Sequence, residues 1–497
     1  MRNHASSAKT AAVRPGVPPV HDRWVYGGLL ALLVWAPLPL GSNRTWAIGI
    51  LVLLVVALLG GMVWAWRHHS TQALSQLQPF AWPLGLLFAM LLWSWAQTLP
   101  LPAAWVQLLS PLAAAAEAPA SSMTLSLDVY QSHITASLCF VYFSAFLLAT
   151  MTLRDSDRLN RAAATLVFSG LLQSIVGVLL FSMKLHYTLF FVDIAHDRML
   201  GTYVYHNSLA GYLCMCLSMG IGLMLARLDG KSRHYANWQA RTKAAIAFVL
   251  SPTMRLRLYL VVMVIALVLT RSRMGNSAFF TALLVAGLLA VLLARKTAPQ
   301  TIALVLSLIV IDVLVVGTGV GLEKVVQRIE DTELRVADGG LSESVEARTE
   351  AARLALPLVK DYWLTGSGGG SFYNLFMTYR SPTYGNAYVS HAHNDFVEIA
   401  SDYGLPGLAL LGLVAVSSLV RMVWLMARRR SRLPWGMAFG VAMAIVALTM
   451  HSTVDFNLQI PANALTMVVI LAMGWVAGNL PSERFQKTRR SPGTELA

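Results

Sequence analysis

Apolar runs of about 20 residues recur along this chain from residue 24 to residue 478. A run of that length crosses the hydrocarbon core of a bilayer as one α-helix. In lipid, backbone N–H and C=O groups must be satisfied internally, so only helices or closed barrels span it. A β-barrel reads as short segments of alternating polarity, and this pattern is absent. The expected fold is therefore all-α: a polytopic membrane protein with about twelve transmembrane helices. The spans are expected at 24–40, 46–66, 80–98, 133–151, 162–181, 208–226, 256–270, 275–294, 301–319, 405–426, 435–450 and 462–478. Pro37 and Pro39 predict that the first ends early or kinks. Only 12% of residues are charged, against about 25% in soluble domains.

The net charge of +14 raises the question of nucleic acid. Its placement answers differently. Positive residues fall in alternate loops: Arg67; Arg154, Arg158 and Arg161; the 231–257 segment; Arg295 and Lys296; and Arg428, Arg429, Arg430 and Arg432. The 99–132 loop carries none. This asymmetry predicts that both termini of the multi-pass protein are cytoplasmic, and the excess charge faces anionic lipid. No nucleic-acid partner is expected. Cys139, Cys214 and Cys216 lie in apolar runs and read as core residues. The expected organisation is a polar cytoplasmic tail (1–23), nine helices (24–319), a large periplasmic loop (320–404), three helices (405–480) and a second tail (481–497). Within the loop, the amphipathic stretch 323–360, with Val345, Leu354 and Leu358 at helical spacing, predicts a small helical subdomain.

Residues 388–407, YVSHAHNDFVEIASDYGLPG, close that loop. His391 and His393 titrate near neutrality and suit general-base chemistry, with Asp395 or Glu398 to orient an imidazole. In an extended segment His391, His393 and Asp395 share a face, which also permits a divalent metal; no zinc motif supports it. Structural hydrogen bonding is the third reading. Arg271 and Arg273 occupy a tight turn at the outer boundary, where cations are disfavoured; they either snorkel to lipid phosphates or bind an anion. Arg198 lies on the same side and either pairs with Asp197 or joins them. His206 and Asn207 follow it, placed to cap or orient the next helix. His451 and Asp455 sit at the outer end of another span. Asp312 lies inside an apolar run. Gly366–Gly370 lacks the Lys-Ser/Thr of a phosphate loop and reads as a turn.

These residues resemble the O-antigen ligase and polymerase superfamily of bacterial envelope glycosyltransferases. His393-Asn394 with Gly404 and Gly407 is similar to that family's periplasmic histidine motif. Arg198-Met-Leu-Gly-Thr with His206-Asn207 and Ala210-Gly211-Tyr212 is similar to one arginine motif, and Ser272-Arg273-Met274-Gly275-Asn276 to a second. His451-Ser-Thr-Val-Asp455-Phe-Asn457 and Ile460-Pro461-Ala-Asn463 resemble a segment of one branch. The resemblance implies a glycan donor on undecaprenyl pyrophosphate and a metal-independent, inverting transfer without cofactor. It implies that Arg198 and Arg273, with Arg271 beside them, bind the pyrophosphate and that His393 activates the acceptor hydroxyl. His391, Asn394, Asp395, His206, Asn207, His451 and Asp455 are expected to support them. The acceptor is expected to be lipid A–core or a growing glycan, with a protein Ser/Thr as the alternative. A lipid-linked oligosaccharide flippase is the alternative of another class; it would show internal halves and charges lining a mid-membrane path.

Overall fold

A computed structural model of the chain describes residues 22–116, 121–184, 198–227, 238–239, 251–293, 345–379, 389–429 and 431–481. The expected span at 301–319, with Asp312, lies outside these residues, as do Asp197, residues 1–21 and residues 482–497. The chain is an all-α polytopic membrane protein. Ten described helical segments are long and apolar enough to cross a bilayer. A shorter apolar helix, α1 (Arg23–Trp35), precedes them. It stops ahead of Pro37 and Pro39, and a 3-10 turn follows at Leu40–Ser42.

The spanning helices are α2 (Thr45–Trp66), α3 and α4 (Ser70–Leu77 and Ala81–Ala96, read through as one segment), α7 (Val129–Thr152) and α8 (Ser156–Ser182). They continue as α9 (His206–Arg227), α10 (Pro252–Leu269), α11 (Arg273–Leu293), α15 (Asp395–Arg428), α16 (Arg432–His451) and α17 (Pro461–Asn479). Local chemistry sets several starts. Asp128, Asp155 and Ser251 each accept a hydrogen bond from the backbone N–H three residues on. Pro461 opens α17 at a position whose N–H has no helical partner.

Two helices occupy the middle. In both α9 and α17, 94% of the spanning window is buried by protein, against 33% in α2 and 22% in α15. Between helices in lipid there is no hydrophobic drive, so close packing has to hold them. Small residues permit it. A Cβ on Gly222 would lie 2.4 Å from the Gly436 carbonyl oxygen, and one on Gly440 would lie 2.7 Å from that of Ser218. Backbones of α9 and α16 therefore touch. The expected core role of Cys214 and Cys216 holds, as both are buried in α9.

Asp22 lies near the end of the expected tail. Its carboxylate is fully buried and pairs with Arg154 at 2.6 Å and Arg158 at 2.8 Å. Two of the cations counted in the positive loops thus tie α1 to the α7–α8 turn. At the opposite end of the bundle a second apolar cluster forms outside the spans. Leu358 of α13 (Leu356–Asp361) and Phe372 and Phe376 of α14 (Phe372–Tyr379) pack with Val106, Met123 and Leu125 of the 99–132 loop. Val106 lies on α5 (Ala103–Leu109), which α6 (Pro111–Ala116) follows. Ala392, between the two histidines, belongs to the same cluster. The helix α12 (Val345–Leu354) leads into it.

The tenth expected span begins earlier than the apolar pattern suggests. α15 starts at Asp395 rather than 405 and breaks at Gly404, with φ 70° and ψ 178°. The break lets a loop dock: Leu405 N–H bonds the Trp363 carbonyl at 2.7 Å, and Ser367 N–H bonds that of Ser401 at 2.8 Å. Asp402, buried at this junction, accepts from the N–H groups of Gly370 and Phe372. The glycine turn at 366–370 thus gives backbone donors to a carboxylate of its own chain, in agreement with its reading as a turn.

Candidate functional site

The starts of α9, α11, α15 and α17 meet the ends of α10 and α16 at one end of the bundle. Backbone and side-chain bonds stitch them. Met199 N–H bonds Leu269 O at 3.3 Å, Asp395 N–H bonds Ser452 O at 3.0 Å, and Asn463 Nδ2 donates to Ser208 O at 2.9 Å. The first places Arg198 beside the end of α10, two residues before Arg271.

The α10–α11 turn is tight, as expected. Ser272 Oγ accepts from Gly275 N–H, and Thr270 Oγ1 accepts from Ser272 N–H. Arg271 sits between them at φ 54°. The hydroxyls bind the turn, and both Arg271 and Arg273 are left exposed. Gly275 then brings α11 against α9: a Cβ there would meet Ala210 Cβ at 2.7 Å. Across the gap, an Arg198 Nη1–H donates to His206 Nε2 at 2.9 Å. A guanidinium has no acceptor, so this ring nitrogen carries the lone pair. Asn207 Nδ2 donates to Tyr205 Oη at 2.9 Å. Both residues therefore order the chain entering α9 through side-chain partners.

Asn394 caps α15; its Oδ1 accepts from Phe396 and Val397 N–H while its Nδ2 reaches Thr453 O. Asp395 does not orient an imidazole. Its carboxylate accepts from Leu458 N–H at 3.0 and 3.2 Å and fastens α15 to the turn after α16. Glu398 takes the orienting role. One oxygen holds His391 Nδ1 at 2.8 Å and the other holds Ala392 N–H at 2.8 Å.

The two histidines do not lie side by side on an extended strand. His393 has φ 50°, which turns the backbone just before the helix. Both rings converge on Phe456 instead. His391 stacks on it at 4.0 Å between centroids and 15°, and His393 meets it edge-on at 5.2 Å and 71°. Tyr205 also stacks against Phe456, at 5.2 Å, and meets His206 edge-on at 4.8 Å. A continuous line of contacts therefore runs from Arg198 through His206, Tyr205 and Phe456 to both histidines.

Arg348 of α12 closes the cluster. It donates to Tyr205 Oη at 2.7 Å and pairs with Asp455 at 3.5 Å. His451 Nε2 lies 3.6 Å from the same Asp455 oxygen, an ion-pair distance longer than a hydrogen bond. Burial pushes the Asp455 carboxyl up, but His451, Arg348 and the Phe456 N–H outweigh it and hold it below the usual range. Burial also dominates His393, pushing it down to about 4; Asp455 opposes that shift, and Arg348 and His391 add to it. His393 is neutral at pH 7, with Nδ1 buried and unpartnered.

Arg348, Tyr205 and Phe456 complete what the sequence pattern marked, and of the two acids expected to orient an imidazole Glu398 is the one that does. Phe456 lay within a motif already quoted; Arg348 and Tyr205 carry no spacing signal of their own. Among the described residues no group of three or more His, Cys, Asp or Glu side chains is placed to hold a metal ion.

Fold and site define a polytopic helical membrane protein with arginines and imidazoles gathered at one end of the bundle. Residues 258–412 match the family model described as O-antigen ligase, which supports the resemblance to the O-antigen ligase and polymerase superfamily. The match supports a membrane glycan-transferring role in lipopolysaccharide biosynthesis. No curated protein matches the chain. The matched region takes in Arg271, Arg273, Arg348, His391, His393 and Glu398; Arg198, His206, His451 and Asp455 lie outside it. The tertiary contacts join the two sets.

Proposed function

We propose that the protein moves a glycan from undecaprenyl pyrophosphate to a sugar hydroxyl at the periplasmic face of the inner membrane, as an O-antigen ligase or surface-polysaccharide polymerase. The observation that carries this is the contact line through Phe456, which joins the histidine pair to the arginine-bearing segment. The leaving group is a pyrophosphate. It needs charge stabilisation more than a proton, and the exposed Arg271 and Arg273 with Arg198 supply guanidinium donors for it. The acceptor is a sugar hydroxyl, a weak nucleophile that needs a base as the new bond forms. His393, at the mouth of α15, meets that hydroxyl. Attack from the face opposite the leaving group inverts the anomeric carbon. Holding the two lipid-anchored substrates at one interface supplies the rest of the rate.

A flippase is disfavoured by where the charge lies. The buried acids among the described residues are Asp22, Asp395, Glu398, Asp402 and Asp455. All lie at helix ends, the last four at the site end. Reconstitution with undecaprenyl-pyrophosphate-linked glycan tests the reading. Lipid A–core, a second lipid-linked repeat unit and a serine-containing peptide are offered as acceptors. The expected product is a glycan joined to a sugar of the first or second. Arg273→Ala and His393→Ala abolish transfer, and EDTA leaves it unchanged. Full activity in both variants defeats the mechanism; transfer to the peptide alone reassigns the acceptor.

A further inference from the structure

The resemblance singles out His393, but the geometry around the two imidazoles is unequal. His393 Nδ1 is buried and has no hydrogen-bond partner. No hydrogen-bond acceptor at that nitrogen would share a positive charge. His391 is the reverse. Its Nδ1 is 2.8 Å from a carboxylate oxygen of Glu398, and the other Glu398 oxygen is fixed by Ala392 N–H. Glu398 is buried, with 5% of its side chain exposed, and His391 is 24% exposed. An ionised carboxylate only accepts, so Nδ1 carries the hydrogen and the lone pair sits on Nε2. The Phe456 face against the ring holds its plane.

We propose that His391, oriented by Glu398, is the proton store of the transfer site: the proton leaving the acceptor hydroxyl comes to rest on His391 Nε2. The inference rests on the glycosyl-transfer reading above. In that step the acceptor oxygen forms its bond to the anomeric carbon. The bond from that carbon to the pyrophosphate oxygen breaks, and its electron pair leaves with the pyrophosphate. The proton converts His391 to an imidazolium that Glu398 neutralises, and bulk water removes it afterwards. His393 makes the contact with the acceptor, but its buried Nδ1 has no hydrogen-bond partner to share the charge of a proton it took. His391 is thus a catalytic residue of the site and Glu398 a positioning residue.

Two measurements on the full chain in lipid nanodiscs decide this. With 15N-histidine labelling, the His391 signals are identified by their loss in His391→Gln. The expected form has hydrogen on Nδ1 and none on Nε2; hydrogen on Nε2 overturns the proposal, and no substrate is needed to see it. The second is transfer from undecaprenyl-pyrophosphate-linked glycan to lipid A–core or to a second lipid-linked repeat unit. Glu398→Gln keeps an acceptor for Ala392 N–H, so the loop stays folded. Its kcat is expected to fall about 100-fold with KM within about twofold. Glu398→Asp is expected to recover at least about tenfold of that loss, which a packing defect would not allow. If wild type transfers in an Arg273-dependent way and Glu398→Gln keeps its kcat, the proton store is wrong and the glycosyltransferase reading stands. If wild type consumes donor with neither acceptor, that reading falls, and the proposal with it.

Discussion

At the residue scale, His393 combines two features that pull in the same direction. Its backbone is in the left-handed region at φ 50°, where non-glycine residues are uncommon. Its ring is buried enough to be pushed down to about 4. The unfolded chain binds that proton near pH 6.5, whereas the folded one does not until about 4. Between those values the unfolded state holds more protons, so stability falls as pH is lowered. The loss amounts to up to about 3 kcal/mol, fully developed below pH 4 and absent above about 7. Melting of the detergent-solubilised protein at pH 7 and pH 5 checks it. Wild type is expected to lose more than His393→Gln over that interval; equal losses would refute the burial argument. The types and positions of His391 and His393 were readable from the sequence. The unequal surroundings of the two rings were not, because they depend on Glu398 and Phe456, which come from one turn along α15 and from the far side of another span.

At the element scale, the Gly404–Gly407 pair marks a helix break. Gly404 has φ 70° and ψ 178°, a conformation open essentially to glycine alone. A Cβ there would lie 2.7 Å from the Leu364 carbonyl oxygen, and one on Gly407 would lie 2.3 Å from Tyr403 Cβ. The break positions Asp402 to hold the 366–372 turn and lets the outer apolar cluster dock beneath Ala392. Gly404→Ala is therefore expected to cost about 1–3 kcal/mol from backbone strain alone. It should also expose the 363–372 loop to limited proteolysis. A variant that melts and digests like wild type would show that the break is tolerant. The apolar pattern placed this helix at 405 because the turn from Asp395 to Tyr403 is polar. Its polar groups are buried against neighbouring loops, which a hydropathy pattern cannot register.

At the scale of the whole molecule, charge asymmetry bears on orientation. Arg154 and Arg158 hold the buried Asp22 at the end of the bundle opposite the histidines. Arg429 caps α17 there, donating to Gly478 O and Leu480 O. These cations mark the expected cytoplasmic end. Fluorescent and phosphatase reporters fused in turn to the C-terminus provide the check. The first is expected to be active and the second silent, and the opposite result would invert the site's assigned face. The same scale shows what the composition conceals. α9 and α2 have the same length and both are apolar enough to span, yet one is enclosed by protein and the other borders lipid. The difference lies in glycine contacts such as Gly222 with Gly436, which acquire meaning only when two helices cross.

By itself the sequence determined that this chain is a bundle of membrane helices, which end carries the cations, and which arginines and histidines stand out. Those follow from local quantities: the length of an apolar run, the sign of a loop, the spacing of a motif. Only the tertiary structure decided that Glu398 rather than Asp395 serves an imidazole. It alone brought Arg348 to Asp455 and Tyr205, and made Phe456 the point where the site's segments meet. Those pairings join residues as far apart as 205 and 456, and burial and partner identity at such distances are set by how helices pack.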